Sequence, residues 1–517
     1  MMLRTACARR LLPLLLLVLP APAQAQDYIY SVNNGTIAIT KYTGQGGSVT
    51  VPGTIDGIAV TTIGQQAFYG RTGLRSLILP DSVTAIWESA FEGCTALTNL
   101  TLPGSVVSIG EAAFRSCSAL RSINLPDSLF VIAGLTFDGC TGLTNVTLGT
   151  NVSGIGWGAF RSCSGLPRLT LPDSLTGLAP EAFFGCSGLT NIAFGNRLSS
   201  IGDSAFSYSG LTSLSLPNSV TSIRTSVFAY CTGLTSLTLP NTVWLIGGSA
   251  FRGCSGLRSL TVPDGVISIK DRAFTSCSGL TNLTLPNSLT YVGEAAFESC
   301  SGLTRLALPN SLTSIPVNAF WSCTGLTNLA MGNGVTNIGG TAFSYCSGLT
   351  SLSLPNSVTS IGPGAFASCS GLTSLALPDS LTSIDSYAFN SCTGLTSVYF
   401  TGNSPRVGMG IFEDATKAIV YYLPGTTGWG PTLGERSTVL WNVQARTTDA
   451  TFGVRTNRFG FTVTGTTKLT VVVDACTDLV NPTWSPAGTN TITDGSTYFS
   501  DSQWTNYPAR FYRLRAQ

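Results

Sequence analysis

The chain has 517 residues, with 27 basic against 25 acidic side chains and no histidine. The near-neutral balance argues against an electrostatic partner such as nucleic acid or an anionic membrane, and the missing imidazole excludes Ser-His-Asp and Cys-His catalysis and the usual mixed Cys/His zinc site. Charged residues make up only 10% of the chain, against about a quarter in ordinary globular domains, so Thr, Ser, Asn and Gly are expected to supply the wetted surface.

Residues 1–25 read as a signal peptide. Arg4, Arg9 and Arg10 form a basic start, Leu11 to Leu19 an apolar core too short to span a membrane, and Ala23-Gln24-Ala25 a small-residue cleavage site. No later stretch predicts a membrane span, so the mature chain is expected to be secreted or held at the cell surface. Residues 26–60 carry three short strand patterns, Tyr28 to Tyr30, Thr36 to Thr40 and Val49 to Val51, separated by Asn33-Asn34-Gly35 and Gly44 to Gly47. They predict an N-terminal β cap, which a stack of repeats needs to shield its first edge.

From residue 61 the sequence repeats. A phenylalanine, usually preceded by alanine, recurs from Phe68 to Phe206 and from Phe228 to Phe412 at a step of 23, with one step of 22 between Phe206 and Phe228. A fixed period of this size defines a repeat solenoid. In the unit from Gly348 to Phe366, Leu352 and Leu354 alternate with Ser351 and Ser353, as in a strand with one buried face. Pro355-Asn356-Ser357 ends that strand, and Val358 and Ile361 begin a second short extended stretch. Phe366 and Cys369 are expected to close the coil inward, each side chain stacking on its copy in the next unit. At the short interval, Phe206-Ser207-Tyr208-Ser209-Gly210 reads as lacking the residue where other units place cysteine. The glycine before the strand is Ala at Ala96 and Ala119, so a left-handed backbone is not required there.

This pattern resembles the BspA-like bacterial leucine-rich repeat surface proteins over roughly Asp27 to Val443. The resemblance implies a β-rich, right-handed coil of leucine-rich repeats over residues 61–443 with a terminal cap, in an exported protein that binds other molecules and is not an enzyme. Ile419 to Tyr422, Pro424 to Trp429 and Trp441 resemble the closing rung and cap, with Trp441 covering the last of the core. Residues 447–517 lose the period. Phe459 to Val463, Leu469 to Val473, Thr489 to Ile492 and Phe511 to Leu514 read as strands, with turns at Thr464-Gly465, Asn481-Pro482 and Asp494-Gly495. They predict a small C-terminal all-β module, sandwich-like.

Thirteen cysteines from Cys94 to Cys392 hold one position in the unit. Export permits disulfides, and a metal is conceivable, but stacked side chains point in parallel, which favours a ladder of buried thiols. Asp81, Asp127, Asp173, Asp264 and Asp379 share the Pro-Asp/Asn turn position with seven asparagines. A calcium ladder is weighed against side chains that cap their own turn, and the second reading is preferred because Asn serves equally. Paired carboxylates such as Glu88 with Glu92 or Asp264 with Asp271 read as a solvated face. No catalytic residue, metal or cofactor is implied.

The candidate binding surface is taken from residues that interrupt the Thr, Ser and Asn pattern with types enriched in binding hot spots. These are Arg75, Arg121, Arg168, Arg258 and Arg305 on the long strand and Trp87, Trp157, Trp244 and Trp321 elsewhere in the unit. Together these features predict a protein that binds an extracellular protein or glycan, in adhesion or surface recognition. The alternative is a rigid structural spacer or envelope component whose C-terminal module anchors or sorts it.

Overall fold

A computed structural model describes residues 27–465, 470–480 and 482–516. The segment read as a signal peptide, and Leu469 and Asn481 of the predicted C-terminal elements, lie outside the described residues. The chain divides into two compact units, one up to Val152 and one from Ser153 on. Both contain solenoid coils about 23 residues long, built from strands and turns, and the second also carries the C-terminal module; no α-helix occurs among the described residues.

The first unit opens on a hairpin. Tyr28–Asn33 pairs antiparallel with Thr36–Tyr42 about Asn34 and Gly35, both left-handed at φ 50° and 75°, the backbone that a tight hairpin demands. Thr36–Tyr42 then pairs parallel with Ile58–Ile63, the first of the short strands. Gly47–Thr50 pairs parallel with Leu74–Ile78, the first of the long strands. Tyr42 stacks on Phe68 with ring centroids 4.9 Å apart. The N-terminal segment thus supplies the neighbour that each side of the first coil lacks: a strand for both sheets and an aromatic ring for the phenylalanine column.

In the second unit every coil has three sides. Around Phe366 these are a long strand (Ser351–Ser353), a short strand (Ser360–Ile361) and a side of turns carrying the phenylalanine. Leu349, Leu352, Leu354, Val358, Ile361, Ala365, Phe366 and Cys369 all point inward and are buried. Each strand pairs in register with its own copy: Ser351 to Ser374 and Leu352 to Leu375 on the long side, Ile338 to Ile361 and Ile361 to Ile384 on the short side. The turn side makes an equivalent ladder, Phe228 N donating to Ala250 O at 2.8 Å and Phe251 N to Ala273 O at 2.8 Å. Left-handed residues bracket each phenylalanine, Ser226 and Tyr230 around Phe228, for example. They are mostly not glycine, so their conformation is not marked by composition.

The rings form one column from Phe160 to Phe412, with centroids 5.3 Å apart between Phe274 and Phe297 and 5.7 Å apart at the last step. The 22-residue step does not interrupt it: Phe206 lies 5.2 Å from Phe183 and 5.5 Å from Phe228. Here the structure corrects the sequence reading. Ser209 occupies the cysteine position, its N–H donating to Phe206 O at 3.1 Å as Cys186 N does to Phe183 O, and its Oγ lies 3.2 Å from Cys231 Sγ. The missing residue is the one after it, and Gly210 N bonds directly to Cys186 O at 3.2 Å.

The fourteen described cysteines are buried thiols. Each thiol from Cys254 to Cys392 donates to the carbonyl of the phenylalanine one coil and three residues earlier, as Cys300 does to Phe274 O at 3.3 Å and Cys369 to Phe343 O at 3.2 Å. That carbonyl already accepts its own coil's cysteine N–H, as Phe274 O does from Cys277 N at 3.2 Å. A small side chain with one weak donor fits this position, and no disulfide is formed among the described residues. Burial pushes the Cys277 and Cys323 thiols up to about 12.

The glycine before the long strand answers to close approach, not to a left-handed backbone. A Cβ at Gly279 would sit 2.2 Å from Ser255 O, and one at Gly371 would sit 2.3 Å from Ser347 O. Many hydroxyls expected at the wetted surface are spent between coils. Thr235 Oγ1 donates to Thr212 O at 3.1 Å and Thr373 Oγ1 to Thr350 O at 2.9 Å along the long strands. Ser311 Oγ donates to Leu289 O and Ser357 Oγ to Val335 O, both at 2.6 Å, at the intervening turn.

At the C-terminal end, Ile419–Tyr422 pairs parallel with Ser397–Phe400 and with Arg436–Leu440, and Thr432–Leu433 folds back on the last of these. A Cβ at Gly434 would lie 2.3 Å from the Ile411 side chain and 3.2 Å from the Phe412 ring, so this hairpin covers the end of the phenylalanine column. Trp441 does something other than expected. Val398, Phe400 and Val420 point inward, and the alternate residues Tyr399 and Tyr421 point outward. The Trp441 indole meets both tyrosines edge-on at 6.0 Å, on the outer face of the long-strand side.

These three rings belong to the core of the C-terminal module, with Phe461, Val463, Val471, Val473, Ile492 and Phe499. The module is all-β, in two sheets. In one, Arg458–Thr464 lies between Ser496–Asp501 on one edge and Gln444–Arg446 with Gly453–Arg455 along the other. In the second, Thr470–Cys476 lies between Ser485–Thr491 and Phe511–Ala516. Gly453–Arg455 and Ser496–Asp501 were not legible as strands, because neither carries a clean apolar alternation.

Candidate contact surface

The nine residues singled out from sequence do not converge. Arg75 lies within its long strand, Arg121 and Arg258 immediately before theirs, and Arg168 and Arg305 open theirs; all are exposed. Arg168 pairs with Asn191 and Arg305 with Asn328 in the next coil, while the Arg121 and Arg258 carbonyls accept the Thr144 and Thr281 hydroxyls, each at 3.0 Å. Trp87 stands at the corner after a short strand, Trp157 one residue further on in its coil, and Trp321 beside Phe320 on the turn side. The Arg161 guanidinium lies 5.8 Å from the Trp157 ring, and Trp321 meets Tyr345 edge-on at 5.6 Å. Only Trp244 sits within a larger apolar surface.

That surface is built on the short-strand side of the second unit. The residue before each short strand is normally threonine or serine, and its hydroxyl donates to the same position one coil back. Thr176 bonds Ser153 O at 3.2 Å, Thr336 bonds Thr313 O at 3.0 Å, and Thr382 bonds Thr359 O at 2.9 Å. In two adjacent coils the position holds Trp244 and Ile267. The backbone ladder continues unchanged, Trp244 N to Thr221 O and Ile267 N to Trp244 O, both at 3.0 Å. What is lost is the hydroxyl staple, and what is gained is two large apolar side chains, 48% and 45% exposed.

The next column reinforces the first. It usually holds serine, but Leu245, Ser268 and Tyr291 follow one another in register. Leu245 and Tyr291 flank the small Ser268, which is buried with its Oγ unbonded, and the Tyr291 ring is itself 46% exposed. The Lys270 ammonium lies 4.4 Å from the Tyr291 centroid. Trp244, Leu245, Ile267 and Tyr291 thus form one apolar surface with a cation at its edge. Four side chains depart from the repeat here, three of them exposed and Leu245 half-buried. The first unit has its own departure in the same column, where exposed Val107 and Phe130 stand where Thr84 stands, with exposed Val131 beside them.

Sequence reasoning found Trp244 but missed Ile267, Leu245, Tyr291, Val107 and Phe130, since single apolar residues other than tryptophan are unremarkable by type in a β-rich repeat. The signal lay in position. Aligning the units shows a hydroxyl column broken by large apolar residues in consecutive copies.

The acidic candidates resolve structurally. Asp127 Oδ1 accepts from Thr150 N at 2.7 Å and from its Oγ1 at 2.9 Å; Asp173 Oδ1 accepts from Asn196 N at 2.9 Å, and Asn310 Oδ1 from Asn333 N at 2.8 Å. These side chains hold the backbone of the next coil, not their own turn, where that coil carries Gly149, Gly195 or Gly332 in place of proline. The two Thr150 bonds hold the Asp127 carboxyl below its ordinary pKa. No group of three or more Cys, Asp or Glu that could hold a metal occurs among the described residues.

The BspA type leucine rich repeat region matches this chain over residues 54–166, 120–235, 155–269, 222–350 and 313–427. The chain belongs to that family. Among solved structures it is similar to a leucine-rich repeat protein from Bacteroides ovatus, at 28% identity and a TM-score of 0.62, covering 72% of this chain and 93% of that one. It also matches a leucine rich cell surface protein from Faecalibacterium prausnitzii at 26% identity and a TM-score of 0.41, covering 74% and 96%. No curated protein matches the chain. No helix among the described residues is long and apolar enough to cross a membrane.

Proposed function

We propose that this is an exported, surface-displayed or secreted leucine-rich-repeat protein that acts by binding an extracellular polypeptide, in adhesion or surface recognition, without catalysing a reaction. The observation that carries the reading is the surface of Trp244, Leu245, Ile267 and Tyr291. Repeat after repeat, the same positions hold hydroxyl side chains that serve the coil, and here adjacent coils replace them with apolar residues that face water. Exposed aromatic and aliphatic side chains with a basic residue at the margin form the centre of a protein contact. Aliphatic Leu245 and Ile267 suit an apolar pocket on a polypeptide better than the hydroxyl-rich face of a glycan. Export rests on the basic, apolar and small-residue succession of residues 1–25.

The experiment is a binding survey of the full mature chain against extracellular matrix proteins, glycans and envelope fractions, with competition by an excess of unlabelled protein. Saturable, competable binding to a polypeptide supports the reading. Binding to glycans alone contradicts the choice of ligand, and retention only by the envelope, with no soluble ligand, turns the reading into that of a spacer.

A further inference from the structure

The first unit carries an apolar surface of its own, in the column of the coil that holds Trp244 and Ile267 in the second. Thr84 keeps the hydroxyl of the repeat, and Val107 and Phe130 follow it at successive steps of 23 residues, with Val131 next to Phe130. The backbone ladder is again intact, Val107 N donating to Thr84 O at 2.9 Å. Val107, Phe130 and Val131 are each more than half exposed, and Phe130 is the most exposed phenylalanine among the described residues. Exposed Trp87 stands at the corner of the Thr84 coil.

The charge around this surface has one sign. Residues 80–89, 103–112 and 126–135 make this side of its coils, and they contain Asp81, Glu88, Glu111 and Asp127 but neither lysine nor arginine. Asp81 and Asp127 come three residues before the column, and Glu88 and Glu111 four residues after it. Carboxylates therefore border the apolar residues in both directions along the coil, and all four are exposed. Asp81, Glu88 and Glu111 form no ion pair among the described residues. The arginines of the unit are placed elsewhere. Arg115, on the turn side, meets Glu92 at 3.7 Å and Asp138 at 3.2 Å. Arg71 bonds the Tyr42 carbonyl, and Arg75 and Arg121 belong to the long-strand side.

That margin selects the occupant. An anionic membrane or a nucleic acid is repelled by it. A second copy presenting the same surface would set acid against acid. The Trp244 surface of a second copy carries Asp271 and Glu294 at the positions of Glu88 and Glu111, so it does not complement this one either. We infer that the surface of Val107, Phe130 and Val131 binds a basic amphipathic segment of a partner polypeptide. The apolar side chains of that segment cover Phe130 and its neighbours, and its lysines or arginines meet Glu88 and Glu111 on one margin and Asp81 and Asp127 on the other. In such a contact the apolar centre supplies affinity, and the charged rim supplies the choice of partner and the rate of association. None of these residues belongs to the Trp244 surface, so either surface can fail without the other.

The test uses the full mature chain and two labelled amphipathic peptides with the same leucine positions, one carrying lysine and the other glutamate between them. The lysine peptide is expected to bind saturably, and the glutamate peptide about tenfold or more weaker, because like charges oppose it. Val107→Thr with Phe130→Thr restores the usual residue of the column. It should weaken the lysine peptide about tenfold or more at an unchanged melting temperature, as loss of central anchors predicts. Glu88→Lys with Glu111→Lys, both at exposed positions, should reverse the preference between the two peptides. Trp244→Thr should leave lysine-peptide binding as in the parent. Equal binding of the two peptides, or self-association of the chain with no peptide binding, would overturn the assignment of the occupant. Binding unaffected by either double variant, or lost in Trp244→Thr, would overturn the assignment of the site.

Discussion

In the solenoid, Phe274 meets Phe251 on one side and Phe297 on the other, both centroids 5.3 Å away and nearly parallel. In the C-terminal module, Phe461 meets Phe499 at 5.2 Å in a tilted arrangement and Tyr512 edge-on, both from strands unlike its own, and Phe459 edge-on within its own strand. A core made of copies carries an internal standard, because each residue states what its counterpart one coil away should be. A core made of unlike parts carries none. For that reason a functional departure can be recognised from position in the solenoid, whereas in the module it emerges only from the assembled sheets.

The largest expected effect breaks the two cores separately. Phe274→Ala should cost about 3–5 kcal/mol, with faster amide exchange centred on the coils carrying Phe251 and Phe297, because repeats are stabilised by their nearest neighbours. Phe461→Ala should cost a similar amount but raise exchange across the whole module, whose strands share one core. Exchange spreading evenly through the solenoid after the first change would contradict the nearest-neighbour picture.

A smaller contrast lies within the solenoid itself. Gly279→Ala pushes a methyl group against Ser255 O and should cost about 1–3 kcal/mol. Gly177→Ala, whose Cβ would meet nothing closer than Ser200 O at 4.0 Å, should fall within about 0.5 kcal/mol of the parent. Equilibrium denaturation of the two variants measures the difference, and equal midpoints would remove close approach as the reason for the first glycine.

The thiol ladder predicts a pH effect of known sign. Buried Cys186, Cys277 and Cys323 hold their protons up to about 12, against an ordinary value of 9.0. Above pH 9 the unfolded chain releases these protons while the folded chain keeps them. Stability is therefore fully present below pH 9 and is lost as the pH rises from about 9 to about 12. Unfolding midpoints across that range check this. At pH 7 a thiol reagent should find few reactive groups until denaturant is added, and then label all the ladder cysteines.

Much of the fold was legible in the sequence. The period, the inward Leu, Ile and Phe positions, the hairpin at Asn34-Gly35 and the buried thiols all follow from residue types at fixed spacing. What escaped was decided by neighbours distant in sequence. The Asp127 and Asp173 side chains reach the Thr150 and Asn196 N–H groups of the next coil, where Gly149 and Gly195 let the backbone pass so close to Pro126 O and Pro172 O that a Cβ would lie 2.3 and 2.4 Å from them. Trp441 lies on the outer face because Tyr399 and Tyr421 offer it an aromatic seat. Trp244 was visible by type, but its partners Ile267 and Tyr291 acquire meaning only when the coils are laid on one another.

The central claim is that the surface of Trp244, Ile267 and Tyr291 departs from the repeat in order to bind. Its most direct test restores the repeat: Trp244→Thr, Ile267→Thr and Tyr291→Ser, each the residue that other coils carry at that position. The melting temperature of the triple variant should match or exceed that of the parent, because two hydroxyl staples return and exposed apolar surface is removed, while binding to the polypeptide ligand falls at least about a hundredfold, as expected when several central anchors are lost together. A variant that binds as the parent does would contradict the account, and so would one that loses binding only because its solenoid melts earlier.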